Sequence, residues 1–126
     1  MTISFASKDG IYVNQHFGWC DIFYKYKVDK ESFSFVKKID ASKKITKEMD
    51  MLAYKISCLE RCDIVCVSEI GPKAISMIQK KGIFAMKSVS GKETIEDILK
   101  NIQKMLRKNP PLWLKRIEVS CLENSK

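Results

Sequence analysis

The hydrophobic positions of this chain change period as it runs. From Thr2 to Ala6, Ile3 and Phe5 alternate with Thr2, Ser4 and Ala6, which predicts a short strand. Ser7-Lys8-Asp9-Gly10 carries an Asp-Gly turn signal, Ile11 to Val13 reads as a brief extended piece, and Asn14-Gln15-His16-Phe17-Gly18 is a polar loop. From Asp21 to Val28, Ile22, Tyr24, Tyr26 and Val28 alternate with Phe23, Lys25 and Lys27, the pattern of a strand with one buried face. Asp29-Lys30-Glu31-Ser32 turns the chain, and Phe33 to Ile39 returns as another strand. Between Lys43 and Leu59 the period becomes helical, with Ile45, Met49, Leu52, Ala53, Ile56 and Leu59 on one stripe.

Asp63-Ile64-Val65-Cys66-Val67 is a short apolar run, read as a buried strand. Gly71-Pro72 opens a helix that Lys80-Lys81-Gly82 closes, with proline at the start and cations and glycine at the end. Ile83 to Val89 predicts a fifth strand. Thr94 to Arg107 predicts a helix with Ile95, Ile98, Leu99, Ile102, Met105 and Leu106 on one side, ended by Asn109-Pro110-Pro111. Leu112-Trp113-Leu114 reads as a short apolar hook, followed by a frayed or loosely docked end. The order β-β-β-α-β-α-β-α predicts an α/β fold of one domain. Its mixed five-stranded sheet is antiparallel through the first three strands and then parallel, with three helices and the first strand central beside Asp63–Val67. That layout resembles a ribonuclease-H-like layer.

Composition adds bounds. The 126 residues suffice for one domain and not two, and 45% hydrophobic with 30% charged residues is a globular balance. No apolar run reaches the roughly 18 residues of a membrane span, and Met1-Thr2-Ile3-Ser4 lacks a signal-peptide pattern. The expectation is a cytoplasmic protein, outside any membrane, whose five cysteines are reduced thiols or metal ligands. The net charge of +8 comes from 23 Lys and Arg against 15 Asp and Glu, and only Arg61, Arg107 and Arg116 are arginines. A nucleic-acid surface more often clusters arginine with aromatics, so no nucleic-acid partner is expected. Two readings of the charge remain: a solvated lysine-rich surface, or one that attracts an anionic ligand or acidic partner.

The segment Phe5-Ala6-Ser7-x-Asp9-Gly10-x-x-Val13-Asn14-x-His16-Phe17-Gly18 resembles the opening of the NifX-type dinitrogenase iron–molybdenum cofactor biosynthesis family. Cys62-x-x-x-Cys66, Ile70-Gly71-x-x-Ala74, Lys81-Gly82-Ile83 and Pro110-Pro111-x-Trp113-Leu114 extend the resemblance in order along nearly the whole chain. Leu112 departs from it where a third proline is expected, and Trp19 and Cys20 are unusual after the glycine. The resemblance divides the chain into a domain over residues 1–108 and a C-terminal extension over 109–126. It implies a non-catalytic carrier that transiently binds an iron–sulfur precursor of the nitrogenase iron–molybdenum cofactor. The implied partners are the radical enzyme that builds the cluster and the scaffold on which the cofactor matures. A second reading is a protein-interaction module of the same system that ligates no metal itself.

The residues offer a place for such a cluster. His16 is a hydrogen-bonding loop histidine or a ligand; neutral imidazole binds iron, and the family motif favours ligation. Asn14, Phe17 and Gly18 surround it, with Phe17 as an apolar anchor and Gly18 permitting close backbone approach. Cys58, Cys62 and Cys66 recur every fourth residue, yet no Cys-x-x-Cys pair of a stable four-cysteine site occurs. Along an extended chain Cys62 and Cys66 stand about 13 Å apart. Ligands of open α/β sheets favour the edge beyond the carboxyl ends of parallel strands. That edge gathers the His16 loop, Cys20 at the start of the second strand, Cys66 near the end of its own, and Gly71 at a helix N-terminus. His16, Cys20 and Cys66 are therefore the candidate metal ligands, with Cys66 equally readable as a small buried hydrophobe. Cys58 and Cys62 fall at the opposite edge. A two-metal nuclease is disfavoured because Asp9, Asp21 and Glu69 are scattered, and no phosphate loop, nucleophile elbow or His-Glu-x-x-His pattern is present.

Overall fold

The computed structural model describes residues 1–89 and 92–124. Five strands form one sheet: β1 (Thr2–Ala6), β2 (Ile22–Val28), β3 (Phe33–Asp40), β4 (Ile64–Val67) and β5 (Phe84–Lys87), in the spatial order β3-β2-β1-β4-β5. β1 runs antiparallel to β2, and β2 to β3, while β1–β4 and β4–β5 are parallel. The expected meander followed by parallel strands is present, with β1 central.

Side chains alternate across this sheet and set its two cores. Ile3 and Phe5 of β1 and Ile64 and Cys66 of β4 point to one face; Ala6, Val65 and Val67 point to the other. Helices α1 (Glu48–Cys58) and α2 (Pro72–Lys80) cover the second face through Leu52, Ile56, Ala74 and Ile78. Helix α3 (Ile95–Arg107) covers the first with Ile95, Ile98, Leu99, Ile102 and Leu106. The Thr94 side chain caps α3 by accepting the Asp97 N–H at 3.0 Å, and Glu96 and Asp97 suit the positive end of the helix.

Two expectations are corrected. The helix read from Lys43 begins at Glu48. Lys43, Lys44 and Lys47 would put cations at the positive helix end, whereas Glu48 and Asp50 complement it. Second, the described residues form four α-helices. Leu112–Asn124 forms α4, where a hook and frayed end were expected. Asn109, at φ +42°, reverses the chain ahead of Pro110-Pro111. Trp113 then stacks on Phe84 with ring centroids 4.2 Å apart, and Leu114 is fully buried beside α3. Ser125 and Lys126, the end of the expected extension, lie outside the described residues.

Candidate functional site

The loop after β1 is built from its own side chains. The Asp9 carboxylate accepts the Ile11 and Tyr12 N–H groups at 2.9 and 3.0 Å and the Ser7 hydroxyl at 3.1 Å. Those N–H bonds hold the Asp9 carboxyl below the usual carboxylate range. Gly10 takes φ +75° with Tyr24 beside it; a Cβ there would lie 2.8 Å from the Tyr24 ring. Asn14 is spent on the loop: its Oδ1 accepts the Lys8 N–H at 2.9 Å.

The chain then runs alongside the segment that leaves β4. Ser68 N–H donates to the Gln15 carbonyl at 3.0 Å, and Phe17 N–H donates to the Glu69 carbonyl at 2.9 Å. His16 sits between these bonds, exposed, opposite Glu69. Phe17 is the anchor: wholly buried, it packs on Phe23 at 5.8 Å and starts a 3-10 turn, Phe17–Trp19. That turn returns Trp19 over His16 with ring centroids 5.6 Å apart and planes 29° from parallel. Trp19 is 78% exposed, an unusual expense of apolar surface in water.

These residues form one wall of an open cleft of about 590 Å³. Glu48, Met51 and Leu52 of α1 face it, and Glu69, Ile70 and the start of α2 close it. The first turn of α2 has no side-chain cap, and its first intrahelical bond runs from Ile75 N–H to the Gly71 carbonyl. Pro72 has no N–H, so the Lys73 and Ala74 amides are the donors at the cleft. A Cβ on Gly71 would meet nothing within 4 Å. Each carboxylate of the cleft has a lysine: Glu48 pairs with Lys73 at 3.6 Å and Glu69 with Lys87 at 2.9 Å.

His16, Phe17, Gly18 and Gly71 are thus brought together at the expected edge. Cys20 and Cys66 are not brought to His16. Cys20 is fully buried in the core under α1, its Sγ donating to the Ile22 carbonyl at 2.9 Å. Cys66 faces the opposite core, paired across the sheet with Phe5 and Met86. Burial pushes both thiols up to about 12, so both stay protonated at neutral pH. Among the described residues no three His, Cys, Asp or Glu side chains converge as a metal site. Cys62 lies at the other edge, its Sγ donating to the Ile64 carbonyl at 2.8 Å. Sequence reasoning missed Trp19, Met51 and the two glutamates as cleft residues. Met51 reads as one more core methionine of the helix, and only the packing of α1 against the 3-10 turn sets it at the cleft.

A three-layer α/β domain with an open histidine cleft at the carboxyl edge of its parallel strands is the class of protein these features define. The crystal structure of PH0822 has the same fold, with a TM-score of 0.64 at 18% identity over 82% of this chain and 91% of that one. Residues 1–105 match the family model described as dinitrogenase iron-molybdenum cofactor. NifX of Herbaspirillum seropedicae is 30% identical over 118 residues, covering 92% of this chain and 80% of the relative. NifX of Sinorhizobium fredii is 27% identical over 124 residues, with 93% and 77% covered. NifX of Azotobacter vinelandii is 30% identical over 115 residues, with 90% and 72% covered. The chain belongs to the dinitrogenase iron–molybdenum cofactor family, on its NifX-type branch, and its role lies in the biosynthesis of that cofactor.

Proposed function

We propose that the chain carries an iron–sulfur precursor of the nitrogenase iron–molybdenum cofactor in the His16 cleft and performs no chemistry on it. The observation that supports this reading is an exposed imidazole in a cleft whose two carboxylates are paired with lysines and where, among the described residues, no three His, Cys, Asp or Glu side chains converge. A preformed cluster has its own sulfide shell and needs little more than one coordinate bond to be held. A carrier must also release its cargo, and one imidazole bond backed by shape suits transfer better than a closed four-ligand set. Trp19 and Met51 supply polarisable surface against a sulfide-rich cargo. The Lys73 and Ala74 amides at the positive end of α2 favour its negative charge. The partners of this function are the radical enzyme that supplies the cluster and the scaffold that receives it.

Cys20 and Cys66 have structural roles in this account, since a ligating thiolate would have to leave a dry core. The test is anaerobic titration with precursor cluster, read by co-eluting iron and by a ligand-to-metal charge-transfer band. His16→Ala is expected to weaken binding at least about tenfold, the worth of one lost strong contact, while Cys66→Ala and Cys62→Ala leave it within error. Equal losses for His16 and Cys62 variants would remove the cleft from consideration. A colourless protein that still binds the partner enzyme would establish the docking module instead.

A further inference from the structure

The far edge of the sheet carries a second cavity with different chemistry. There the starts of β1 and β4 meet the C-terminal ends of α1 and α2, and α4 closes one side, leaving a groove of about 1320 Å³. Lys25, Lys27, Arg61 and Lys81 line it against only Glu60 and Asp63. Both carboxylates are already engaged. Glu60 binds Lys37 Nζ through both oxygens at 3.2 and 3.1 Å, and Asp63 Oδ2 accepts the Thr2 N–H at 2.8 Å. Two helix C-termini contribute about half a negative charge each, which leaves the lining roughly one positive charge, and Lys37, bound to Glu60, raises the surplus to roughly two.

Lys25 is the unusual member. It sits mid-strand in β2, on the same face as Phe23, and only 9% of it is exposed. No described group is hydrogen-bonded to its ammonium. Among the described residues no enclosed side-chain nitrogen or oxygen lacks a partner, so the unpartnered Nζ spends its small exposure in the groove it lines. The opposite charge that acts with it is Glu60, which Lys37 already holds. Lys25 also stands directly across the ladder from Lys37, a like-charge pair that costs stability, and the β2–β3 register shifts immediately after it. A β-bulge re-aims side chains, and here it adjoins a buried cation with nothing to hold.

We propose that this groove binds a small dianionic oxyanion, of the phosphate monoester or dicarboxylate class, with Lys25 as its direct partner and Arg61 and Lys81 at the mouth. A dianion matches the surplus charge and gives the Lys25 ammonium the acceptor that the protein withholds. A small ion reaches an ammonium at the floor of a groove; a flat acidic protein surface does not. The site is independent of His16 and stands at the other end of β1 and β4.

The experiment titrates the ¹⁵N-labelled full chain with inorganic phosphate, succinate and acetate, following amide shifts and heats of binding. Saturable shifts are expected at Thr2, Lys25, Lys27 and Arg61, with a dianion binding at least about tenfold more tightly than acetate. Phosphate ahead of succinate assigns a phosphate monoester; the reverse assigns a dicarboxylate. Lys25→Met, which removes a buried charge and keeps the stem, should lower affinity at least about tenfold. The double variant Arg61→Gln/Lys81→Gln, at exposed positions, should lower it several-fold, and His16→Ala should change nothing. Non-saturating shifts scattered over surface lysines, or equal binding of acetate, would overturn the proposal. So would a loss on His16→Ala, which would join the two ends of the sheet in one site.

Discussion

Lys55 braces, from inside the core, the turn that carries Trp19 beside the His16 cleft. It is almost wholly buried in α1, and its ammonium donates to the Cys20 carbonyl and, at 2.9 Å, to the Ala41 carbonyl. The first of these ends the turn that carries Trp19; the second follows β3. Lys55→Met would leave two inward carbonyls without donors, each costing about 1–3 kcal/mol of desolvation, partly offset by removal of a buried charge. We expect a net loss of about 1–3 kcal/mol in urea melts, together with a loosened Trp19 seen as a red-shifted emission. A variant as stable as the parent would make Lys55 dispensable. Cys20 and Cys66 make a prediction that depends on pH. Burial lifts both from the ordinary 9.0 to about 12, so the folded state keeps protons that the unfolded chain gives up. Their contribution is complete below pH 9 and is lost as pH rises from 9 towards 12. Urea midpoints should therefore fall between pH 8.5 and about 10.5 less steeply in Cys66→Ala than in the parent, and neither thiol should react with a disulfide reagent before unfolding. Fast labelling of Cys20 at pH 7 would contradict the closed core.

At the scale of elements, α4 carries the sharpest expectation. Trp113→Ala removes the face-to-face stack on Phe84 and unpins the helix from β5. Full burial of a tryptophan is worth roughly 3–5 kcal/mol; Trp113 is half-buried, and a loss of about 2 kcal/mol is expected in chemical denaturation. A frayed tail would give no change. The same helix shows where sequence reasoning stopped. Trp113, Leu114, Ile117 and Cys121 recur at helical spacing, but two prolines and a charged end argue for a loose terminus, and only the stack on Phe84 reveals the tertiary partner. The strands were legible because β2 alternates with one face better buried than the other while β4, covered on both faces, reads as a continuous apolar run, and the His16 edge followed from strand order and direction. What sequence could not place was the face each cysteine takes. Period two puts Cys66 with Ile64, yet Cys20 lies in a loop whose packing side has no periodic signal. A buried Lys55 is equally silent, since it satisfies backbone carbonyls distant in sequence.

The whole molecule holds two chemically distinct ends on one sheet, a locally balanced histidine cleft and a cationic groove, within a net charge of +8. The cleft's own ion pairs, Glu48 with Lys73 and Glu69 with Lys87, cancel. Beyond the short reach of the α2 amides, attraction of an anionic cluster must therefore come from the wider surface, which acts on approach more than on the bound complex. Screening separates the two. The Debye length shrinks from about 10 Å at 0.1 M salt to about 3 Å at 1 M, so long-range steering fades over that range while a coordinate bond to His16 does not. In an anaerobic stopped-flow salt series, the association rate of precursor cluster should fall several-fold and the dissociation rate should hold nearly constant. An association rate indifferent to salt would reduce the net charge to a solvated surface. A dissociation rate that climbs steeply with salt would mean that lysines hold the cluster, and His16 would lose its place as the ligand.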